Sequence, residues 1–416
     1  MRGAAWPVYY GWLILAASAV SELLIQGATS YSAGLFVLPL QAEFHVSRAD
    51  ANSSILFLFI GAVLVSPFVG RILDAWPIRR VMSIGAVIFS LALAAIAVSS
   101  SLWQMAAILV LPVAIGFVSL GPLTTSTLVS RWFYRRRGLA LGIAAVATSG
   151  GGLVVVPLLS RAIQQYGWRQ ALLYESVVLG VVIIVLTFAV LRDRPAQMGL
   201  QDHPENRGRP QIGAAAAPVP WREVLTSRAF WIPALALSLV SATCQASVIT
   251  LYPYAVQLGF TPTDAALLIS GFAIAAGITK IGAGLLSDYV NQHYLLTASA
   301  LLMALSWVTL SFFNSYRAVM TGSCLAGMAL GCVLPVSAGF IAARFGSARF
   351  GSVMGWAYAL LAVVAILAVR FVGFMYDLSG SYGVAFRVFA VLLAILAVFL
   401  LLVAPSRTTP SLGRAS

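Results

Sequence analysis

Four ionisable side chains stand inside long apolar runs of the sequence, where a charge is costly. They are Glu22, Glu175, Lys280 and Arg370. Because a charge in the hydrocarbon of a bilayer costs about 3 kcal/mol or more, such residues usually face a cavity and handle an ion, a proton or a charged solute. The residue types suggest two kinds of chemistry: a buried cation that binds an anion, and a buried carboxyl that carries a proton.

Lys280 is the only lysine among the 25 basic residues of the chain. A sequence that otherwise uses arginine has placed its one lysine inside an apolar run, eight residues before Asp288. This placement predicts a role in binding an anionic substrate or in proton coupling. The alternative is that the long side chain extends to the membrane surface and only packs there.

Glu22 belongs to a polar stripe whose members recur every four residues and therefore share one helix face: Ser18, Glu22, Gln26 and Ser30. Lipid would penalise that face, so we expect it to line a cavity, with Glu22 as the proton-coupling residue. The alternative is a structural ion pair between Glu22 and either Lys280 or Arg370. The expected substrate-binding residues are Lys280, Gln26, Tyr31, Gln245 and Arg370.

Glu175 is expected to be structural, because Arg169 lies six residues earlier and could pair with it. The three cysteines stand singly in apolar runs without a neighbouring histidine, so neither a disulfide nor a metal site is expected. No nucleophile–base pair is visible either. The sequence therefore predicts no metal, no cofactor and no enzymatic activity.

The composition requires a membrane for most of the chain. Of the 416 residues, 61% are hydrophobic and only 9% are charged, whereas soluble proteins carry about 25% charged residues. A spanning helix needs about 20 mostly apolar residues. Runs of that kind lie near 9–37, 51–70, 81–100, 103–129, 138–161, 169–191, 229–254, 264–286, 294–313, 318–343, 350–375 and 384–404. We therefore predict an all-α membrane protein with twelve transmembrane helices.

One long polar stretch, 192–228, divides the predicted chain into an N-terminal bundle, 1–191, a linker and a C-terminal bundle, 229–416. The linker ends in WREVLTSR, which predicts a short surface helix. Basic residues concentrate in alternate loops, so the positive-inside rule predicts a multi-pass protein of the plasma membrane with both termini and the linker in the cytoplasm. The net charge of +13 has this origin, and no nucleic-acid partner is expected.

The two predicted halves share an internal repeat. At an offset of 214 residues, Gly70 aligns with Gly284 and Asp74 with Asp288. One residue off that register, 131–142 aligns with 344–355 and four residues match: Arg131, Arg136, Gly138 and Gly142 with Arg344, Arg349, Gly351 and Gly355. Because each match falls at the same topological place in its half, we expect two pseudo-symmetric six-helix bundles.

Two parallel halves of six helices are the organisation of the major facilitator superfamily, and GRILDAWPIRR at 70–80 resembles that superfamily's signature motif. The matching positions are Gly70, Asp74, Arg79 and Arg80, with Gly284 and Asp288 as a weaker second copy. The resemblance implies the major facilitator fold. It also implies that these six residues form a gate that holds one conformer closed without touching substrate. The alternative is a tight turn with orienting arginines.

Within that superfamily, the sequence most resembles monocarboxylate transporters and bacterial oxalate/formate antiporters. The resemblance is carried by YYGW (9–12), SYSAGLFVLPLQAEFHVSRADA (30–51), RWFYRRRGLALGIA (131–144), RPAQMGL (194–200) and GFMYDLSGSYGVAF (373–386). In that branch a basic residue four positions before the motif glycine of helix eight binds the substrate carboxylate, and Lys280 has this spacing from Gly284. The oxalate antiporters carry a second basic residue at about Ala357, and its absence favours a monoanion over a dianion. Animal members carry an acid at the position of Ala276, so Glu22 is its only obvious substitute in proton coupling.

The resemblance implies a secondary active transporter of small organic anions, monocarboxylates such as lactate- or pyruvate-like acids. It would work by alternating access, as a monomer in a bacterial inner membrane, with a proton as co-substrate. Two other functions stay open. One is a proton-coupled exporter of lipophilic or cationic compounds, in which Glu22 binds the cation and Lys280 is structural. The other is a membrane sensor that does not transport.

Overall fold

The computed structural model describes residues 9–45, 54–200 and 221–403. Twelve helices in these ranges are long and apolar enough to span a membrane, which confirms the predicted number. They are α1 Gly11–Tyr31, α2 Ser54–Ala75, α3 Ile78–Ala97, α4 Leu102–Trp132, α5 Arg137–Tyr166, α6 Trp168–Ala189, α7 Arg228–Gln257, α8 Pro262–Leu286, α9 Gln292–Phe312, α10 Tyr316–Phe345, α11 Phe350–Ser379 and α12 Gly383–Leu402.

Several helices are longer than the apolar runs that predicted them. α2 continues beyond Gly70 to Ala75, α5 to Tyr166 and α11 to Ser379. Hydropathy marks the part of a helix that lies in hydrocarbon, whereas the backbone hydrogen bonds can continue into the polar interface. As a result Asp74 lies on the last turn of α2, still within the helix.

α1 changes its winding in its second half. It is α-helical to Gln26 and π-helical over Gly27–Tyr31, and a 3-10 turn, Ala33–Phe36, then leads into the short helix Val37–Phe44. The amide of Ser32 donates to the Gly27 carbonyl at 3.1 Å, and its hydroxyl donates to the same oxygen at 2.5 Å. This pair of bonds holds the wide turn, and such turns occur frequently at functional sites.

α4 is interrupted twice, and in both places a proline explains the change. A π-helical turn over Leu109–Val113 contains Pro112, which has no amide to donate. The helix then breaks at Gly121, which is extended, and restarts at Pro122. The final segment, Pro122–Trp132, therefore has its own direction and brings Thr125 into the protein interior.

The helices form two bundles, α1–α6 and α7–α12, in which α3 packs on α6, α1 on α5, α8 on α10 and α9 on α12. The bundles meet mainly along two helix pairs, α2 with α11 and α5 with α8. The internal repeat relates these two pairs, because α2 corresponds to α8 and α5 to α11. Large apolar side chains, such as Val181, Leu301 and Ile395, stay exposed on the outer faces, as a lipid-facing surface requires.

Of the predicted linker, the structure describes only the two ends. A 3-10 turn covers Pro195–Met198, and the predicted surface helix is present as Trp221–Thr226. Residues 201–220, both termini and 46–53 lie outside the described ranges, so the predicted linker and the second half of the 30–51 stretch are described only in part.

Candidate functional site

Lys280 on α8 points into the protein and not to a membrane surface. Only 1% of the residue is exposed. Its ammonium donates to the Thr148 hydroxyl at 2.7 Å and to the Ser149 hydroxyl at 2.8 Å. Both hydroxyls belong to α5, so the ammonium bridges the two bundles. This position excludes the alternative in which Lys280 extends to the membrane surface.

Small residues allow α5 and α8 to approach closely at this point. A Cβ on Gly142 of α5 would collide with the Lys280 carbonyl oxygen, and one on Gly331 of α10 would come within 3.0 Å of the Lys280 amide nitrogen. The backbone around Lys280 is therefore enclosed on two sides. Its side chain has little freedom other than along the helix interface.

Glu22 on α1 is 2% exposed and lies near Lys280, but it forms no ion pair with it or with Arg370. Thr125 of α4 lies beside the Glu22 carboxyl, and Tyr358 of α11 is also close. The structure therefore does not contain the direct structural ion pair that was the alternative for Glu22. A carboxyl and an ammonium face the same interior region without touching.

Tyr31 joins this cluster through Ser149. The Tyr31 hydroxyl lies beside Ser149, and its ring lies against Gly152, where an added Cβ would be 3.1 Å from a ring carbon. Tyr31 is 45% exposed, in contrast to Lys280. Tyr31 thus stands at the accessible side of the cluster and Lys280 at its buried end.

None of the other predicted substrate-binding residues hydrogen-bonds the ammonium in the described parts of the chain. Gln26 is half-buried and accepts a hydrogen bond from the Ser30 hydroxyl at 3.1 Å. Gln245 is half-buried and follows Cys244, which lies near Lys280. Arg370 is exposed, and twelve residues separate it from Tyr358, about 18 Å along α11. The structure does not bring Arg370 into the cluster of Glu22, Lys280 and Tyr31.

The expected pairing of Glu175 with Arg169 is wrong. Arg169 instead bonds Glu43, at 2.6 Å from Nη2 to Oε1, and donates to the carbonyls of Ala97 and Ser99. The hydrogen bond from Arg169 lowers the pKa of the Glu43 carboxyl below its usual value. Both Glu175 oxygens are buried and have no hydrogen-bond partner among the described residues. Arg169 reaches Glu43 because the short helix Val37–Phe44 lies against the start of α6, where Trp168 also donates to Glu43 at 2.7 Å.

Asp74 connects the bundles at one end of the molecule. Its carboxylate accepts hydrogen bonds from the amides of Gly351 at 2.8 Å and Ser352 at 2.7 Å, at the start of α11. The first amides of a helix have no partner within the helix and carry a partial positive charge, so a carboxylate is a favourable cap. Gly70 lies directly against the Gly351 backbone, which leaves no room for a side chain.

Asp288 makes the matching contact in the other half. Its carboxylate accepts hydrogen bonds from the amides of Gly138 at 2.7 Å and Leu139 at 3.0 Å, at the start of α5. Gly284 lies against the backbone of Gly138 and Gly142. The residues that the internal repeat pairs in sequence thus form two equivalent contacts, each between opposite bundles.

The arginines of the signature stretch do not reach across this interface. Arg79 donates from Nη2 to the Phe188 carbonyl at 3.1 Å, and its amide donates to Asp193 at 3.1 Å. Phe188 is in the last turn of α6 and Asp193 follows that helix, so both partners belong to the same bundle as Arg79. Arg80 is exposed. Arg131, which the repeat also singled out, donates to the Leu73 carbonyl and lies next to Asp74.

Three residues around the cluster were not predicted from the sequence: Thr125, Thr148 and Ser149. Thr148 and Ser149 carried a signal, because they form a hydroxyl pair in the middle of an apolar run and three glycines follow them. Thr125 had no such signal in the sequence, because its position in the interior depends on the helix break at Gly121. Among the described residues, no group of histidine, cysteine and acidic side chains could hold a metal ion.

The family model described as Major Facilitator Superfamily matches residues 19–261 and 238–416. The chain is 26% identical over 389 residues to mouse "Monocarboxylate transporter 11", covering 91% of this chain and 84% of that protein. It is 29% identical over 160 residues to "Uncharacterized MFS-type transporter YcxA" of Bacillus subtilis, covering 38% of this chain and 39% of that protein.

Solved structures share the fold. The proton:xylose symporter XylE superposes with a TM-score of 0.74 at 15% identity, covering 95% of this chain and 96% of that one. The human organic anion transporter MFSD10 superposes with a TM-score of 0.71 at 15% identity, covering 94% and 99%. Three findings point to one family: the number of helices, the repeat-related contacts between bundles and the family match over most of the sequence. The chain belongs to the Major Facilitator Superfamily, whose members are membrane transporters and not enzymes.

Proposed function

We propose that this chain is a secondary transporter of small monocarboxylates, which moves the anion together with a proton by alternating access. The observation that carries the proposal is the state of Lys280: a buried ammonium, held between the two bundles, whose described partners are two neutral hydroxyls. Burying a cation without an anion costs roughly several kcal/mol, and a carboxylate ligand would offset this cost.

The number of cations supports a monoanion. Lys280 is the one cation in the cluster, because Arg370 lies exposed farther along α11. A dianion would leave one charge uncompensated in a region of low dielectric. Relatives that carry the name monocarboxylate transporter support the same substrate class.

Charge balance supports a proton as co-substrate. Glu22 and Lys280 together carry no net charge when both are ionised. A bound monocarboxylate adds one negative charge, and protonation of Glu22 removes it again. Because a net charge in the interior is costly, the anion and the proton favour each other's binding. The site therefore couples the two without any direct contact between them.

The two aspartate contacts suit the gate of such a carrier. Asp74 and Asp288 hold the bundles together at one end through helix-start amides of the opposite bundle. The cluster lies deeper, since Lys280 is eight residues, or about 12 Å, before Asp288. We propose that this end opens when both contacts break, in a monomer whose termini lie in the cytoplasm of a bacterium.

The test is uptake of labelled lactate and pyruvate into proteoliposomes under an imposed pH gradient. We expect the wild type to accumulate the acids and Lys280→Ala to lose accumulation by at least about tenfold, since an unpaired or missing buried charge costs several kcal/mol. Arg161→Ala is the matched control, because it removes an exposed cation on α5 that no described residue bonds.

Two results would contradict the proposal in different ways. Wild-type vesicles that ignore carboxylates but expel a lipophilic cation in a Glu22-dependent manner would identify an exporter of cationic compounds. Carboxylate uptake that survives Lys280→Ala would keep the substrate class and remove Lys280 from the site.

A further inference from the structure

Thr148 and Ser149 both hold the Lys280 ammonium, but their hydroxyl groups are not equivalent. The Thr148 hydroxyl donates its hydrogen to the Ala145 carbonyl at 2.7 Å and accepts from Lys280 at 2.7 Å. A hydroxyl has a single hydrogen to donate. Thr148 can therefore act on the ammonium only as an acceptor.

The Ser149 hydroxyl has different partners. It accepts from Lys280 at 2.8 Å, and it donates to no backbone carbonyl in the described parts of the chain. The Tyr31 hydroxyl lies beside it, on the accessible side of the cluster. The Ser149 hydroxyl is half-buried and, among the residues that the structure describes, has only the Tyr31 hydroxyl as a neighbour on that side, so a solute that displaces Tyr31 could accept its hydrogen.

A carboxylate has two oxygens and accepts hydrogen bonds only. The ammonium of Lys280 has three hydrogens, of which Thr148 and Ser149 take two. We infer that Ser149 is a second carboxylate-binding residue: its hydroxyl donates to one substrate oxygen while the third hydrogen of Lys280 goes to the substrate. Thr148 only positions the ammonium. This assignment rests on the proposed function and adds a specificity-determining residue to its site.

The experiment compares the KM of labelled pyruvate uptake for Ser149→Ala and Thr148→Val. Losing a donor to a charged group is expected to raise KM about tenfold or more in Ser149→Ala. Thr148→Val removes an acceptor of the Lys280 ammonium but no donor to the substrate, so its KM is expected to rise clearly less than that of Ser149→Ala. Ser149→Thr keeps the hydroxyl and should restore a KM near that of the wild type.

Each outcome is decisive. Equal increases of KM in Ser149→Ala and Thr148→Val, or an unchanged KM in Ser149→Ala, would overturn the assignment while Lys280-dependent uptake by the wild type still supported the proposed function. A wild type without Lys280-dependent carboxylate uptake would overturn the proposed function and this assignment together. If Ser149→Ala is not recovered from membranes, Ser149→Cys, a weaker donor of similar shape, provides the same comparison.

Discussion

At the residue scale, the proposed transport chemistry depends on Glu22 and Lys280. Each is almost fully buried, and the two lie near one another without an ion pair. A direct salt bridge would satisfy both charges and leave little reason to bind anything else. In the proposed mechanism, the separation leaves the ammonium able to bind an anion and the carboxyl able to take up a proton.

Glu22→Gln separates these two roles. The amide cannot take up a proton, so the variant should lose pH-driven accumulation of the acid. It should still exchange internal for external substrate when no gradient is imposed, because Lys280 is intact. Counterflow and gradient-driven uptake in the same vesicles measure both. Glu175→Gln, which neutralises the other buried glutamate of the spans, should keep both activities. If Glu22→Gln still accumulates the acid as the wild type does, then a residue other than Glu22 carries the proton.

Glu43 makes a pH-dependent contribution to stability outside the membrane-spanning helices. The hydrogen bond from Arg169 lowers the pKa of this carboxyl in the folded protein. The stabilisation is therefore present above the unfolded value of about 4.3 and disappears as the pH falls through the lower folded value. We expect the unfolding temperature of Glu43→Gln to lie below that of the wild type by about 2 °C or less at neutral pH.

The unfolding temperatures of Glu43→Gln and the wild type are also compared at acid pH. The difference between Glu43→Gln and the wild type should vanish once the pH falls below the lowered pKa of folded Glu43, because the wild-type carboxyl is then protonated in the folded protein too. Glu223→Gln is the matched control, since its pair with Arg349 is longer, at 3.5 Å, and more exposed. A gap between Glu43→Gln and the wild type that stays constant with pH would exclude the ion pair as its source.

Glycines decide the packing at the scale of elements. Gly284 of α8 faces the α5 backbone, and an added Cβ would lie 2.5 Å from the Gly138 carbonyl oxygen and 2.8 Å from the Gly142 Cα. Backbone atoms cannot move aside as a flexible side chain can. An alanine here must push α5 and α8 apart, which also strains the Asp288 contact with the start of α5.

Gly284→Ala should therefore destabilise the closed arrangement by about 1–3 kcal/mol. We expect faster hydrogen exchange at the start of α5, where Asp288 holds the amides, and a lower uptake rate. Gly282→Ala on the same helix is the matched control, because nothing lies within 4 Å of its added Cβ. That variant should exchange and transport like the wild type, with a helix more stable by about 0.5–1 kcal/mol. If the two variants exchange hydrogen and transport at the same rates, then the α5–α8 contact limits neither the stability of this region nor the uptake rate.

The whole molecule is organised by its repeat. Asp74 reaches the start of α11 and Asp288 the start of α5, so each half supplies the acid for the other half's helix. The two contacts lie at the same end and close the same side. In the proposed gate both contacts would break together, so the closed state would depend on the pair of bundles and not on either bundle alone.

Orientation in the membrane is a prediction at the same scale. Arginines concentrate in alternate loops, and the positive-inside rule places those loops in the cytoplasm. A fluorescent-protein fusion at the C-terminus should be bright, and an alkaline phosphatase fusion there inactive. A phosphatase fusion after Asn314, between α9 and α10, should be active, because that loop lies on the opposite side. The reverse pattern would show that the orientation in the membrane is opposite to the predicted one and that the proposed gate lies on the other side.

Much of the architecture followed from the sequence by itself. Apolar runs of sufficient length determined the number of spanning helices, because in hydrocarbon the backbone must satisfy its own hydrogen bonds. The repeat at Gly70, Asp74, Gly284 and Asp288 indicated where the bundles meet. The cost of burying an ion singled out Glu22 and Lys280, together with Glu175 and Arg370.

Contacts between distant helices were decided only by the tertiary structure. The pairing of Lys280 with Thr148 and Ser149 joins residues more than 130 positions apart, and no periodicity within one helix encodes it. Arg169 could have reached Glu175 by helix spacing, but the irregular end of α1 offered it Glu43 instead. Arg370 is as costly in an apolar run as Lys280, yet it stays exposed on α11. Composition reveals that a charge must be accommodated, whereas the direction in which a side chain points depends on which helix packs beside it.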